Sequence, residues 1–353
     1  MLSLSISNLF KAFGYLLAKR DKLTQKQKRQ IATTRERKKK KQHDLEMLGE
    51  LGDLRPGLLI SRFGEQADVM ELESGETHRC YLRQNLGAPV PGDRLQFRLD
   101  NNQQGVIETI AERKTLLERP SFHQGLKPVV ANVDRIFIIV APLPDFSSVL
   151  LDRYIVAIEQ TGIEFLIIAN KCDLTDEYLA QNIDSQLAVY EKLGYRVIKV
   201  STKQVESKST LTEAMKNHSS ILVGQSGVGK SSIINWLFPE VSLATQVISE
   251  NSRLGQHTTT ASQLFCLDQK KPEAGFIIDS PGIREFGLWH LSDQAIAEGY
   301  SEFSSYLGTC KFRDCKHINE PGCEIIKAVK EGRIESQRWK NYSKIIANKS
   351  PNE

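Results

Sequence analysis

Apolar residues follow three different rhythms along this chain. Between Arg55 and Arg113 they come in short, partly alternating runs: GLLISRF, ADVMELE, HRCYLR, RLQFRL and GVIETIAER. Turn formers separate the runs at Gly64, Ser74-Gly75, Pro91-Gly92-Asp93 and Asn101-Asn102. Five short strands in about 60 residues predict a small closed barrel, with the OB-fold as the leading candidate. After Pro120 the runs become continuous. VDRIFIIVAP and FLIIANK have the texture of parallel strands buried on both faces, and LLDRYIVAIEQTG between them has helical spacing. YRVIKVS, SSILVG, SQLFCLD and GFIIDSPG read as further strands and KSSIINWLF as a helix, so the middle of the chain predicts a doubly wound α/β domain. Beyond Leu291 the pattern turns helical and ends in a basic amphipathic stretch, Arg333 to Lys349.

The pattern has no place for residues 19–43, which are rich in Lys, Arg and Gln and have almost nothing to bury. Lys19 to Lys41 holds twelve Lys/Arg against two acids, so most of the basic character sits in an arm of about +10 while the whole chain nets +4. The arm is expected to be disordered when free. The expected organisation is a basic arm over 1–50, an OB barrel over 51–115, an α/β domain over 116–290 and a helical module over 291–353. At 40% hydrophobic and 25% charged, the 353 residues have the makings of a soluble globular protein. No run approaches the ~18–20 continuous apolar residues of a membrane span. The mildly apolar first 18 residues lack the flanks of a signal peptide and read as a short amphipathic helix or an over-long start.

The strongest chemical signal is Gly224-Gln225-Ser226-Gly227-Val228-Gly229-Lys230-Ser231, followed by Ser232. It matches the phosphate loop GxxxxGK(S/T), after an apolar strand and at the start of a helix. The glycines let backbone N–H groups curl around a phosphate, and the helix N-terminus adds a positive dipole end. Lys230 would bridge the β- and γ-phosphates and the Ser231 hydroxyl would ligate Mg²⁺. Asn170-Lys171-Cys172-Asp173, after FLIIA, selects the base. The Asp173 carboxylate can accept from guanine N1–H and the exocyclic amine together, a donor pair that adenine lacks. Asn170 would brace the loop and Lys171 pack on the base. Ser201-Thr202-Lys203, after YRVIKV, fits the companion loop whose N–H faces guanine O6.

Asp279-Ser280-Pro281-Gly282 matches DxxG: Asp279 would hold Mg²⁺ through water and the Gly282 N–H would sense the γ-phosphate. Upstream lies Gly255-Gln256-His257-Thr258-Thr259-Thr260; one of the threonines, Thr258 and Thr259 included, should contact Mg²⁺ and the γ-phosphate, and spacing does not say which. These motifs run in rotated order, the guanine-reading motif before the phosphate loop, as in a circularly permuted GTPase domain. Ile283 follows DxxG where a water-orienting Gln is usual, so unassisted hydrolysis should be slow. His257 is the nearest replacement in sequence; a loop histidine without a role is the competing reading.

Six cysteines are present. Cys310, Cys315 and Cys323 cluster with His317 in a closed four-ligand set of the kind structural zinc prefers. The basic arm, barrel, zinc cluster and basic C-terminal helix together suggest nucleic-acid binding, RNA before DNA.

The barrel, NKCD, GQSGVGKSS, GQHTTT and DSPGI in this order, then C-x4-C-x-H-x5-C, closely resemble the bacterial small-ribosomal-subunit biogenesis GTPases of the RsgA family over about residues 50 to 345. The resemblance implies a cytoplasmic, monomeric GTP phosphohydrolase, without membrane attachment, that docks on the nearly mature small subunit and its rRNA. Docking would speed hydrolysis, and the enzyme would leave afterwards. It places guanine contacts on Asn170 to Asp173, phosphate contacts on Gly224 to Ser232, zinc ligands on Cys310, Cys315, His317 and Cys323, and the water-orienting role on His257. Two rivals stay open at this point: an assembly factor for which GTP is only a structural ligand, and a GTPase serving another RNA or a membrane surface.

Overall fold

The computed structural model describes residues 51–349 except 84, 122–124, 175–176, 241–261, 281–287 and 289. The basic arm over 1–50 therefore lies outside the described residues.

Strands β1 (Arg55–Phe63), β2 (Gln66–Glu71), β3 (Thr77–Leu82), β4 (Arg94–Leu99) and β5 (Gly105–Ile110) coincide with the five alternating runs. They pair in the order β1-β2-β3-β5-β4, and β4 pairs again with β1, which closes the barrel; β3 and β5 run parallel. This is the OB-type barrel expected. The alternation explains it. In β3, His78, Cys80 and Leu82 point inward while Thr77 and Arg79 are exposed. Leu59, Val69, Cys80, Leu95, Phe97 and Ile107 fill the centre. Burial pushes the Cys80 thiol up to about 12, so it packs as a small neutral hydrophobe.

β6 (Leu116–Ser121) and β7 (Gly125–Ala131) form an antiparallel ribbon that the sequence did not announce. Pro120 and Pro128 sit inside it, and proline argues against strand pairing. In a two-stranded ribbon each strand has a free edge, so a nitrogen without a proton can face outward at no loss.

The α/β domain is built on β8 (Arg135–Val140), β9 (Glu164–Ala169), β10 (Val197–Lys199), β11 (Ser219–Val223), β12 (Gln263–Cys266) and β13 (Phe276–Asp279). Their order is β10-β9-β8-β11-β13-β12, parallel except for β12 against β13. Successive residues of β8 face opposite layers. Ile136, Ile138 and Val140 meet α1 (Ser148–Glu159) and α2 (Glu177–Lys192). Phe137 and Ile139 meet α3 (Val205–Met215) and α4 (Lys230–Leu237). Burial on both faces is why the run is apolar without a gap. Ser61 of β1 pairs with Gln263 of β12, so barrel and α/β domain share one continuous sheet. Arg113 forks the fully buried Asp93 at 2.7 and 2.8 Å, and Asn132 donates to Gly92 O at 2.9 Å, fastening the barrel's last turns to the ribbon.

The C-terminal region packs α5 (Asp293–Glu298), α6 (Glu324–Lys330) and α7 (Ser336–Ala347) around Tyr300, Phe303 and Tyr342. Tyr300 and Phe303 stack at 4.9 Å, and Tyr342 meets both edge-on. The region is joined to α1 by a buried ion pair. Arg338 of α7 donates to Asp152 of α1 and to both oxygens of Glu302. No helix among the described residues is long and apolar enough to cross a membrane.

Truncation at this joint should be severe, because Arg338→Ala strands two carboxylates, Asp152 and Glu302. We expect urea unfolding to show a loss of about 3–5 kcal/mol for Arg338→Ala, and a smaller loss for the neutral replacement of all three groups, Asp152→Asn and Glu302→Gln with Arg338→Met.

Candidate functional site

Parallel strands end on the same side of a sheet, so their following loops gather there whatever their chain order. Val140 at the end of β8 pairs with Ala169 at the end of β9, Ala169 with Lys199 of β10, and Ile221 of β11 with Ile278 of β13. The NKCD loop, the Ser201–Lys203 loop, the phosphate loop and Asp279 therefore stand along one edge.

The phosphate loop leaves β11 at Gly224 and enters α4 at Lys230. Gly224, Gly227 and Gly229 all have positive φ, at 143°, 83° and 99°. At Gly229 the space is also closed: a Cβ would lie 2.3 Å from Asn170 Nδ2. That amide donates to Val228 O at 2.8 Å, and Asn170 is 2% exposed. The next residue reaches the same loop. Lys171 Nζ donates to Gly227 O at 2.8 Å and to Leu143 O, in the β8–α1 loop, at 2.7 Å. Partial burial lowers the Lys171 pKa, with the Asp173 carboxylate opposing that effect. Lys171 itself adopts φ 61°, a strained geometry for a residue with a Cβ and one that collects at functional sites.

Asp173 is aimed by its neighbours. Lys203 Nζ lies 2.8 Å from Oδ2, and Ser201 Oγ donates to Oδ1 at 2.6 Å. These bonds, that from Lys203 foremost, hold its carboxyl below the ordinary carboxylate range. Ser201 Oγ also accepts from Lys203 N at 3.1 Å, and Ser207 Oγ of α3 accepts from Ser201 N at 3.1 Å. Thr202 is half-buried and Cys172 exposed on the same loops. Lys230 Nζ donates to Gly224 O and Gln225 O at 2.5 and 2.7 Å, at the mouth of the loop. Ser231 and Ser232 follow in the first turn of α4, with Ser226 exposed at the loop tip and Val228 buried beneath it. Asp279 closes β13, and Ser280 Oγ bonds Ser262 Oγ at 2.7 Å. His257, Thr258, Thr259 and Gly282 lie outside the described residues.

In the C-terminal region, one ligand atom each from Cys310, Cys315, His317 and Cys323 lie within 4.8 Å of one another. His317 Nδ1 is 3.5 Å from Cys310 Sγ and 3.4 Å from Cys323 Sγ, and the two sulfurs are 3.9 Å apart. Tetrahedral zinc at ordinary bond lengths sets S···N near about 3.6 Å and S···S near about 3.8 Å. The donor set fits such an ion. Its loop is held by Glu320, whose carboxylate accepts from Lys316 N, Ile318 N and Asn319 N. Glu320 escaped the sequence reading because no motif marks an acid whose partners are mainly backbone N–H groups, with the Cys315 thiol beside them at 3.8 Å. Leu143 O escaped it because a carbonyl has no side-chain signature.

A barrel joined to a permuted nucleotide-type sheet, with a Cys/His-bearing helical region behind it, defines the class of circularly permuted GTPases. The chain belongs to the RsgA GTPase family, whose sequence profile matches residues 110–289. A Haemophilus influenzae (strain PittEE) protein called small ribosomal subunit biogenesis GTPase RsgA is 47% identical over 339 residues, 94% of this chain and 96% of that one. A Vibrio vulnificus (strain YJ016) protein called small ribosomal subunit biogenesis GTPase RsgA 1 is 44% identical over 342 residues, 95% and 96% of the two chains. The crystal structure of YjeQ from Thermotoga maritima matches with a TM-score of 0.67 at 30% identity, over 85% of this chain and 100% of that one. YloQ, described as a circularly permuted GTPase, matches in fold with a TM-score of 0.63 at 24% identity, over 85% and 98%.

Gly229→Ala tests the contact between the loops. Its Cβ would displace the Asn170 amide, and guanine-nucleotide affinity by fluorescence titration should fall about tenfold or more, as for the loss of one charge-assisted or buried hydrogen bond plus backbone strain.

Proposed function

We propose that this chain hydrolyses GTP to GDP and phosphate while bound to the small ribosomal subunit, acts late in that particle's maturation, and leaves after hydrolysis. The observation that supports the nucleotide part is the double attachment of Asn170 and Lys171 to the phosphate loop, which ties the loop carrying Asp173 to the loop that leads into Lys230. In this reading Asn170 to Asp173 and Ser201 to Lys203 contact guanine, and Gly224 to Ser232 contact the phosphates. Mg²⁺, when bound, neutralises phosphate charge and orients the γ-phosphoryl group. Ser231 would hold it directly and Asp279 through water, with one of Thr258 and Thr259 joining on the γ-phosphate side. Gly282 would sense the γ-phosphate. His257 would orient the attacking water, since Ile283 has no group to do so.

The ribosomal part is supported by the names of the relatives, each called a small ribosomal subunit biogenesis GTPase. The basic arm supplies a salt-sensitive attraction to rRNA. Zinc on Cys310, Cys315, His317 and Cys323 would staple a helical region with a small core. The domains would run 1–50, 51–115, 116–290 and 291–353, in a monomer of the cytoplasm.

Purified small subunits should raise the GTPase rate about tenfold or more, and His257→Ala should lower the stimulated rate by about 10²-fold without weakening GDP binding. Equal rates with and without subunits across a range of salt would count against the ribosomal assignment. Metal analysis should find one zinc per chain. Stripping it with a chelator should lower the melting temperature of this region by about 5–10 °C, given ~4–8 °C per kcal/mol in a domain of roughly 60–100 residues.

A further inference from the structure

Asp152 and Arg338 are 0% and 1% exposed, and hydrolysis as proposed has no use for them. Yet each lies one step from a site. The first two turns of α1, which carries Asp152, lie against the phosphate loop: Leu150, Leu151 and Tyr154 share one small cavity with Gln225 and Val228. The loop entering α1 supplies the Leu143 carbonyl that shares the Lys171 ammonium with Gly227. On the opposite side, α7 carries Arg338. One and four residues further along α7, Trp339 Nε1 donates to His317 O at 2.8 Å and Tyr342 OH to Lys316 O at 2.9 Å. A single stretch of α7 thus grips Asp152 and the Cys/His loop together.

A buried ion pair is seldom the most stable way to join two helices, because apolar side chains of similar volume do as well or better. What it supplies is orientation. The Arg338 guanidinium stands 4.4 Å from the Tyr300 ring centre and 5.2 Å from that of Tyr190, and divides its fork between Asp152 and Glu302. Asp152 also accepts from Tyr190 OH at 2.6 Å and Asn341 Nδ2 at 2.8 Å. Helix α1 cannot slide or turn without breaking directional bonds to α2 and α7 at once.

We propose that Arg338 is a positioning residue for the nucleotide site. Acting through Asp152, it holds α1 in the register that seats Leu143 O and the apolar floor beneath Gln225 and Val228. Nucleotide affinity is thereby tied to the seating of the C-terminal region. The inference rests on the nucleotide reading above. Contact alone carries no coupling energy; that has to be measured in variants that remain folded.

The test uses the full-length, metal-loaded protein and a fluorescent N-methylanthraniloyl GDP probe. Wild type, Arg338→Lys and the neutral triple variant Asp152→Asn, Glu302→Gln, Arg338→Met are compared, with melting temperature and zinc content measured on each. We expect the triple variant to remain folded with wild-type zinc content and to bind the probe about 5-fold or more weakly, with part of the loss recovered in Arg338→Lys. A purely structural ion pair would lower the melting temperature and leave the dissociation constant within about 2-fold of wild type, which overturns the proposal. Should the triple variant not fold, Arg338→Lys and Asn341→Ala decide by the same criterion, weaker binding in a folded variant supporting the proposal and unchanged binding overturning it. A wild type that fails to bind the probe overturns the nucleotide reading and this inference with it, so the two failures are told apart.

Discussion

A phosphate loop that turns its N–H groups inward leaves its carbonyls facing the protein, and those carbonyls need donors. Here the donors are the Asn170 amide on Val228 O and the Lys171 ammonium on Gly227 O. They come from the loop that also carries Asp173. The spacing between the Asp173 loop and the phosphate loop is therefore set by hydrogen bonds between the two loops themselves. Gly229 has to be glycine for the same reason, since the amide occupies the place of its side chain.

This bracket makes chain order unimportant. The strands ending at Val140, Ala169, Lys199, Val223 and Asp279 point one way, and a loop reaches the edge from its own strand alone. Rotating the order changes something else: what each strand is attached to. β12 lies between the segment holding the Thr run and the strand that ends at Asp279, and it pairs with β1 of the barrel. On the other flank, α1 leaves the site and enters the buried cluster of Asp152 and Arg338. Barrel and C-terminal region are thus each one element away from the nucleotide edge.

Most of the architecture was legible in the sequence because the two hydrophobic periods are distinct: alternation in THRCYL and RLQFRL for a barrel with one wet face, and unbroken runs in RIFIIV for a sheet covered on both. The ribbon of β6 and β7 was not, since Pro120 and Pro128 obey an edge-strand rule that becomes visible only once the partner is known. Motif positions along the edge were legible because phosphate and guanine chemistry demand particular residue types after a strand. The supports were not. Leu143 acts through its carbonyl, Ser207 through a hydroxyl like any other, and Glu320 through backbone partners. Asp152 and Arg338 belong to no motif and are buried only because segments distant in sequence close over them.

The central claim is that Asp173 and the phosphate loop grip opposite ends of one guanine nucleotide, and exchanging one atom group tests it. Asp173→Asn replaces an acceptor pair with an acceptor and a donor, which suits the C2 carbonyl of xanthine in place of the guanine amine. Competition binding of guanosine and xanthosine diphosphates to wild type and to this variant should show preference inverting, with guanosine weakened and xanthosine strengthened. Parallel changes for both nucleotides, or none for either, would contradict the account.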